Sequence, residues 1–405
     1  MSGPLTGVRV IDLTRVIAGP YGTMMLADQG ADVIKVEEPG IGDHVRGLGH
    51  RSGGIPATFL NNNRNKRSVT LDLKSDGGRE VLLKLCEGAD VLVQNYRAGV
   101  VERLGIDEAA VRARSPNIIY VSMNGYGEVG PWRDKPAYDP IIQALTGLAS
   151  VQGGSDEARP RLVRTILPDK LTGITAAQAI SSALFARERT GEGQHVKVSM
   201  IDSVLSFLWS SDYGSQTFVD RPVSIQKAAS FIDLIYATAD GHMTVAVNSD
   251  KEWRALTRAL EKPEWLEDER FLTPTSRERN INDRLTLIQE TLETRPTAEW
   301  LERLDAENVP CAEVLHRKDV INHPQIVASG ILEETDHPDA GRLRQARNAA
   351  RFDKTPAKIR WGAPHLGAHN DEVLTEAGYS QAEIDALRGQ GAVGDERPAD
   401  TAAAE

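Results

Sequence analysis

Short apolar runs recur along the first 200 residues with helical patterns between them. "GVRVIDL" (7–13), "ADVIKVE" (31–37), "RSVTLDL" (67–73), "DVLVQNY" (90–96) and "NIIYVSM" (117–123) are rich in β-branched residues and predict strands. Between them lie "PYGTMMLADQG" (20–30) and "SDGGREVLLKLCEGA" (75–89). In the second, Val81, Leu82, Leu85 and Cys86 share one helical face, and Ser75 or Asp76 caps the start. A helix over about 171–188 leads through "RTGEGQ" to a strand "HVKVSM" (195–200), and the helical "IDSVLSFLWSS" follows. Strands separated by helices predict βαβ units and a mostly parallel sheet, an α/β fold.

The texture changes near 220–230. "SFIDLIYATADGHMTVAVNSDKEW" predicts two strands around an Asp240-Gly241 turn. Helical patterns follow in "SDKEWRALTRALEK" and "RPTAEWLERLDAE". Residues 223–330 therefore predict a smaller α+β domain after a large one over 1–222, and 331–388 return to mixed structure. The Gly/Ala/Pro/Asp-rich end, 389–405, predicts a disordered tail. It carries a formal GxGxxG (Gly389, Gly391, Gly394), but no strand precedes it and no helix follows, so it predicts no nucleotide site.

Composition narrows the function. A chain of 405 residues exceeds the usual single-core size, and 40% hydrophobic with 26% charged residues is ordinary for a soluble globular protein. A net charge of −11 opposes nucleic-acid or anionic-membrane partners, while an anionic ligand remains open to a local Lys/Arg pocket. The start lacks a signal-peptide pattern and no run approaches ~18 apolar residues, so a cytoplasmic protein without a membrane span is expected. Cys86 and Cys311 are too far apart in sequence to suggest a disulfide scaffold or a metal pair. His365 and His369 are four apart, but Pro364 and Gly367 argue against a helix presenting both, so no metal site is expected. The first strand-to-helix turn, "LTRVIAGPYG", lacks the glycine fingerprint of a nicotinamide dehydrogenase.

The candidate chemistry centres on "RLVRTILPDKLTGITAAQAI" (161–180), where Asp169 stands between Pro168 and Lys170 at a predicted helix start. Taken locally, Asp169 is an N-cap, and so is Asp139 ahead of Pro140 in "KPAYDPIIQ" (135–143). Lys170 is placed to lower the Asp169 pKa if the site is partly buried. Lys74 and Arg103 lie just beyond strand-like runs, where open α/β sheets bind ligands. The basic run "NRNKRS" (63–68) is a further candidate for phosphate.

Several blocks together resemble the family III CoA-transferases, the group that also contains α-methylacyl-CoA racemases. They include "GVRVIDLTRVIAGPYGTMMLADQGADVIKVEEPGIGDHVR", "NRNKRSVTLDLKSDGGREVLLKL", "DVLVQNYRAGVVERLGID", "GPWRDKPAYDPIIQALTGL" and "TGEGQHVKVSMIDSVL", and the likeness runs over about 1–375. The resemblance implies a Rossmann-like large domain built from both chain ends, an inserted small domain, and two chains interlocked as a homodimer. It implies an acyl-CoA donor and a carboxylic acid acceptor as partners, with coenzyme A as substrate and no tightly bound cofactor. Asp169 aligns with the family's nucleophile, which would carry CoA through a mixed anhydride and an aspartyl-CoA thioester. Asp139 falls at an acidic position in support of it. Arg15, Val16, Ala18, Leu71, Lys74, Asn95, Tyr96, Arg103 and Met200 fall at CoA-binding positions.

Departures from the family pattern matter. Ile17 and Glu38 replace a glutamine and an arginine of the formyl-CoA enzymes, and "PVSIQKAASFIDLIYATADG" has no counterpart of their glycine-run lid. Ile17 is expected to make the acyl pocket more apolar. Arg15, Arg164 and Lys170 are the candidates for holding the acceptor carboxylate. The alternatives are a racemase, which would want a histidine where Tyr138 stands, and a non-catalytic CoA-binding protein.

Overall fold

A computed structural model describes residues 3–221 and 234–396. Most of the segment compared with the glycine-run lid, and the end of the predicted tail, lie outside these residues. Within them the packing divides into two compact units. The first comprises the described residues of Met1–Ala149, Arg161–Val219 and Ala328–Glu405, and the second those of Ser150–Pro160 and Asp220–Val327.

The first unit is organised by a six-stranded sheet: β1 (Arg9–Asp12), β2 (Asp32–Glu37), β3 (Lys66–Thr70), β4 (Val91–Gln94), β5 (Ile119–Asn124) and β6 (His195–Ser199). The order is β3-β2-β1-β4-β5-β6 and every pairing is parallel. Side chains alternate between two cores. Ile11, Ile34, Leu92 and Tyr120 pack with the helix Asp76–Glu87 and with the chain end. Val10, Val33, Val93 and Val121 pack with the helices Ala18–Asp28 and Leu167–Thr190. Burial on both faces explains why these strands read as near-continuous apolar runs.

Because β1 pairs with β2 on one side and β4 on the other, the chain leaves it in opposite directions, and a crevice opens beyond its carboxyl end. The predicted tail is partly corrected. Residues 390–396 fold back after the helix Gln381–Gly389, and Val393 bridges Leu71. Ala392 and Val393 are buried because this apolar pair closes the core that the sheet leaves open. Ser75 is the cap of the helix Asp76–Glu87, its Oγ accepting from the Gly78 N–H at 3.0 Å.

The second unit holds an antiparallel sheet in which His242–Val245 lies between Ile235–Ala237 and Cys311–Glu313. The hairpin predicted around Asp240 and Gly241 is present, with Ala237 opposite His242. Trp253, Trp265, Phe271 and Trp300 fill its core.

Four charged side chains are sealed beneath the carboxyl ends of β1 and β2: Asp12, Lys35, Asp43 and Lys66, all at most 1% exposed. Lys66 Nζ donates to Asp12 at 3.0 Å, to Asn63 Oδ1 at 2.9 Å and to the Pro20 carbonyl at 3.0 Å. Lys35 Nζ donates to Asp43 at 3.0 Å and to the Thr14 carbonyl at 2.8 Å. Burial opposes ionisation of Asp12, but Lys66, Lys35 and the hydroxyls of Thr14 and Thr23 outweigh it and hold its carboxyl at about 2. The basic run 63–68 is used up here rather than facing phosphate. Arg64 pairs with Asp28 and Arg67 with Asp32, Glu372 and Glu376.

Removing one member of such a set strands a buried charge. Lys66→Ala is therefore expected to lower stability by about 3–5 kcal/mol, read as an earlier midpoint in urea unfolding.

Candidate active site

The crevice is built on the loop that leaves β1. Asp12 Oδ1 accepts the Thr14 N–H at 2.9 Å. Two residues on, Val16 adopts φ 72°, a left-handed conformation that a β-branched residue rarely takes. Its N–H points at the Asp43 carboxylate, 3.1 Å from one oxygen and 3.2 Å from the other, which holds the strained turn. Across the crevice, at the end of β4, Asn95 accepts the Arg15 N–H and donates to the Arg15 carbonyl, both at 2.9 Å. The strand ends either side of the switch in strand order are thus tied main chain to side chain.

Asp169 comes from the helix Leu167–Thr190, and its position corrects the reading of it as a cap. The helix begins at Leu167, two residues before Asp169, and no side chain caps it. Pro168 does not delay the start, since the first turn has no intrahelical use for its missing N–H. Asp169 is free to face a neighbour, and the Ala18 N–H donates to its carboxylate. The neighbour can come that close because two glycines meet. A Cβ on Gly22 would lie 2.8 Å from the Gly173 carbonyl oxygen, and one on Gly173 would lie 2.6 Å from the Ala18 carbonyl oxygen. Gly22 follows Ala18 by four residues, and Gly173 follows Asp169 by four, so one glycine crossing sets Asp169 beside Ala18.

Asp139, the first residue of the helix Asp139–Leu145, is not a cap either. It is buried, accepts from Gln143 Nε2 at 2.6 Å, and takes the Asp169 N–H at 3.4 Å. Burial raises the Asp169 pKa to about 6, the Asp139 charge adds to this, and the Ala18 N–H offsets part of it. Burial also raises Asp139. Lys170 plays no part at Asp169: it is exposed and donates to Thr165 Oγ1 at 2.7 Å. Its charge acts on Asp139 instead.

Two cavities open on this crevice. One, about 310 Å³, is lined by Asp169, Val16, Ala18, Asn95 and Met200 among others. The second, about 520 Å³, is lined by Leu71, Lys74, Arg79, Arg103 and Glu38 among others. Arg15 and Tyr96 line both, the Arg15 guanidinium lying 5.2 Å from the Tyr96 ring centre. Every residue placed at a CoA position by resemblance therefore lines one or the other. Asp139 lines neither and lies behind Asp169. Arg164 and Lys170 line neither. Nor does Ile17, which packs with Val45, Phe59 and Leu60, so it does not shape an acyl pocket. Glu38 pairs with Lys74 at 3.1 Å and with Arg15 at 3.8 Å.

Sequence reading missed His44, Arg97, Lys135 and Thr172 in the first cavity and Arg79 in the second. Only Thr172 had a signal, three residues beyond Asp169 on the same helical face. Cys86 is no rival nucleophile: burial pushes its thiol up to about 12.

The sequence model of CoA-transferase family III matches residues 5–370. The chain belongs to that family. It is 30% identical to human succinyl-CoA:glutarate CoA-transferase, over 96% of this chain and 90% of the relative. Acetyl-CoA:oxalate CoA-transferase of Acetobacter aceti is 35% identical over 82% of this chain and 85% of its own. Among solved structures, a CAIB/BAIF family protein from Brucella suis superposes with a TM-score of 0.81 at 30% identity, covering 93% of this chain and 100% of that one. As a family III CoA-transferase, the chain uses CoA thioesters as substrates.

The glycine crossing yields a test that needs no activity. Gly173→Ala is expected to push the two helices apart and weaken the Ala18 hydrogen bond, raising the Asp169 pKa further above 6. A carboxyl-carbon NMR titration, with Asp169→Asn to assign the resonance, reads the change.

Proposed function

We propose that the chain moves CoA between carboxylic acids with Asp169 as the covalent nucleophile. The observation that carries this is the placement of one half-buried carboxylate, held by a main-chain N–H, in a cavity that shares Arg15 and Tyr96 with a second, cation-lined cavity. The second cavity suits the phosphates and adenine of CoA, with Lys74, Arg79 and Arg103 as cations. The first then receives the thioester end.

The Asp169 carboxylate attacks the thioester carbonyl, and the carbon–sulfur bond breaks to give an aspartyl–acyl anhydride and CoA thiolate. The thiolate attacks the Asp169 carbonyl carbon and expels the donor acid as its carboxylate, leaving an aspartyl-CoA thioester. The acceptor carboxylate attacks that thioester and releases the thiolate. The thiolate then takes the acceptor acyl group and restores Asp169. No proton is needed at any step, so the reactive form is the ionised carboxylate. The dipole of the helix Leu167–Thr190 and the Ala18 N–H favour that form and the oxyanions that develop beside it. Asp139 opposes ionisation and keeps Asp169 more basic than an ordinary carboxylate. The relatives are named for oxalate and glutarate acceptors, and a short carboxylic acid is the acceptor class proposed here. Arg15, on the cavity wall, is the cation proposed to hold it.

By resemblance, the working form is an interlocked homodimer. Native mass spectrometry is expected to give twice the chain mass, and a monomer retaining full turnover would remove that part of the reading.

Asp169→Ala is expected to abolish transfer while CoA binding survives. The wild-type enzyme given acyl-CoA should yield a hydroxylamine-sensitive adduct on the 161–180 peptide. Near-normal turnover in the variant would refute the nucleophile. The rate at limiting acyl-CoA should rise with pH through an apparent pKa near 6 as Asp169 ionises. In Asp139→Asn, which removes a neighbouring negative charge, that limb should move to lower pH.

A further inference from the structure

The second unit holds a cavity of about 240 Å³ that the transfer reaction above does not use. Two arginines line it, and they differ. Arg277 is buried and satisfied: it pairs with Asp250 and donates to the Phe271 carbonyl at 2.9 Å. Arg284 is half-buried, and its guanidinium has no hydrogen bond or ion pair among the described residues. Its Nε is sealed from solvent without an acceptor. Trp253, also on the wall, is 3% exposed, and its Nε1 lacks an acceptor too.

A half-buried guanidinium without a counter-ion, beside a second arginine, is an arrangement that an anion in the cavity would complete. The acidic groups nearby do not fill the role. Asp250 is taken by Arg277. Glu252 accepts the Asn248 and Ser249 N–H groups, each at 2.9 Å, so the helix start offers the cavity little. Glu278 lines the cavity but is exposed, and makes no ion pair with Arg284. Tyr236 lies near Arg284 and stays protonated, burial pushing its hydroxyl up to about 12. Burial and Arg277 both work against the charge on Arg284, the cost that a counter-ion would relieve. Val247, Pro274 and Ile281 give the remaining wall an apolar character.

We propose that this cavity binds a small oxyanion, most favourably the carboxylate of a short-chain acid, with the Arg284 guanidinium as donor, the Trp253 indole on the wall beside it and the apolar wall against the hydrocarbon part. None of its lining residues lines the Asp169 cavity. The site would let the enzyme sense the class of acid that it is proposed to release.

The test uses the full chain with ¹⁵N-labelled tryptophan indoles, the Trp253 signal being assigned by Trp253→Phe. Titration with butyrate should shift that signal saturably, and inorganic phosphate should shift it more weakly for want of a hydrocarbon part. Arg284→Gln should weaken butyrate binding by about tenfold or more, and Glu278→Gln, which removes an opposing carboxylate, should tighten it. Asp169→Asn should leave the shift unchanged. No shift with either anion at tens of millimolar, equal affinity in Arg284→Gln, or loss of the shift in Asp169→Asn would overturn the proposal. Should Arg284→Gln fail to fold, unchanged affinity in Glu278→Gln overturns it as well. Because the readout is an indole resonance, it stands or falls separately from the role of Asp169 as nucleophile.

Discussion

The pairing of four buried charges under the sheet is the constraint on which the site rests. Asp12 and Lys66, and Lys35 and Asp43, meet where no water reaches. Such groups contribute little net stability relative to a well-packed apolar set, because desolvation offsets much of their attraction. What they contribute is direction. Three of the four have acceptors or donors left for the loop after β1 once the ion pairs are made: Asp12 and Lys35 hold Thr14, and Asp43 holds Val16. An apolar core would have no means of keeping Val16 in a left-handed turn. The charges fix the loop, and the loop delivers Ala18 to the first turn of its helix.

The electrostatics of Asp169 follow from the same geometry. A carboxylate nucleophile has to be ionised, yet a strongly stabilised carboxylate is a poor one. Burial and Asp139 push its pKa up, the Ala18 N–H pulls back, and the balance falls near 6. At neutral pH the group is mostly charged but less comfortable than it would be in water. A raised folded-state pKa also means that this carboxylate loses the chain stability as pH climbs from about 4 to about 6, the range in which it ionises in the unfolded chain before it does in the folded one.

Much of the architecture could be read from the residues. The five apolar runs and "HVKVSM" became the six strands because burial on both faces leaves a strong one-dimensional signal. The strand order left no such signal, since register between distant segments is not written in either one. Asp169 shows the limit most clearly. Its neighbours describe a helix start, and local rules make it a cap. Its actual partner is Ala18, 151 residues earlier, brought there by Gly22 and Gly173, two glycines that look unremarkable in separate segments. Ile17 failed for a similar reason. Adjacency in sequence to Val16 and Ala18 put it near the cavity, but its side chain turns into the cluster around Phe59. Ala392 and Val393 were hidden by the glycine-rich composition around them, and two apolar residues were enough to anchor the segment.

The glycine crossing has a mechanical meaning as well. Where side chains separate two helices, their rotamers can rearrange and let the pair drift. Here main chain abuts main chain at Gly22 and Gly173, and neither glycine has a side chain to relax. The Asp169 carboxylate thus inherits the stiffness of two peptide backbones. The walls of the cavity, by contrast, include exposed side chains such as Tyr138 and Arg97, free to be exchanged without disturbing it. A scaffold divided in this way can change which acid it accepts while keeping the attacking atom where it is.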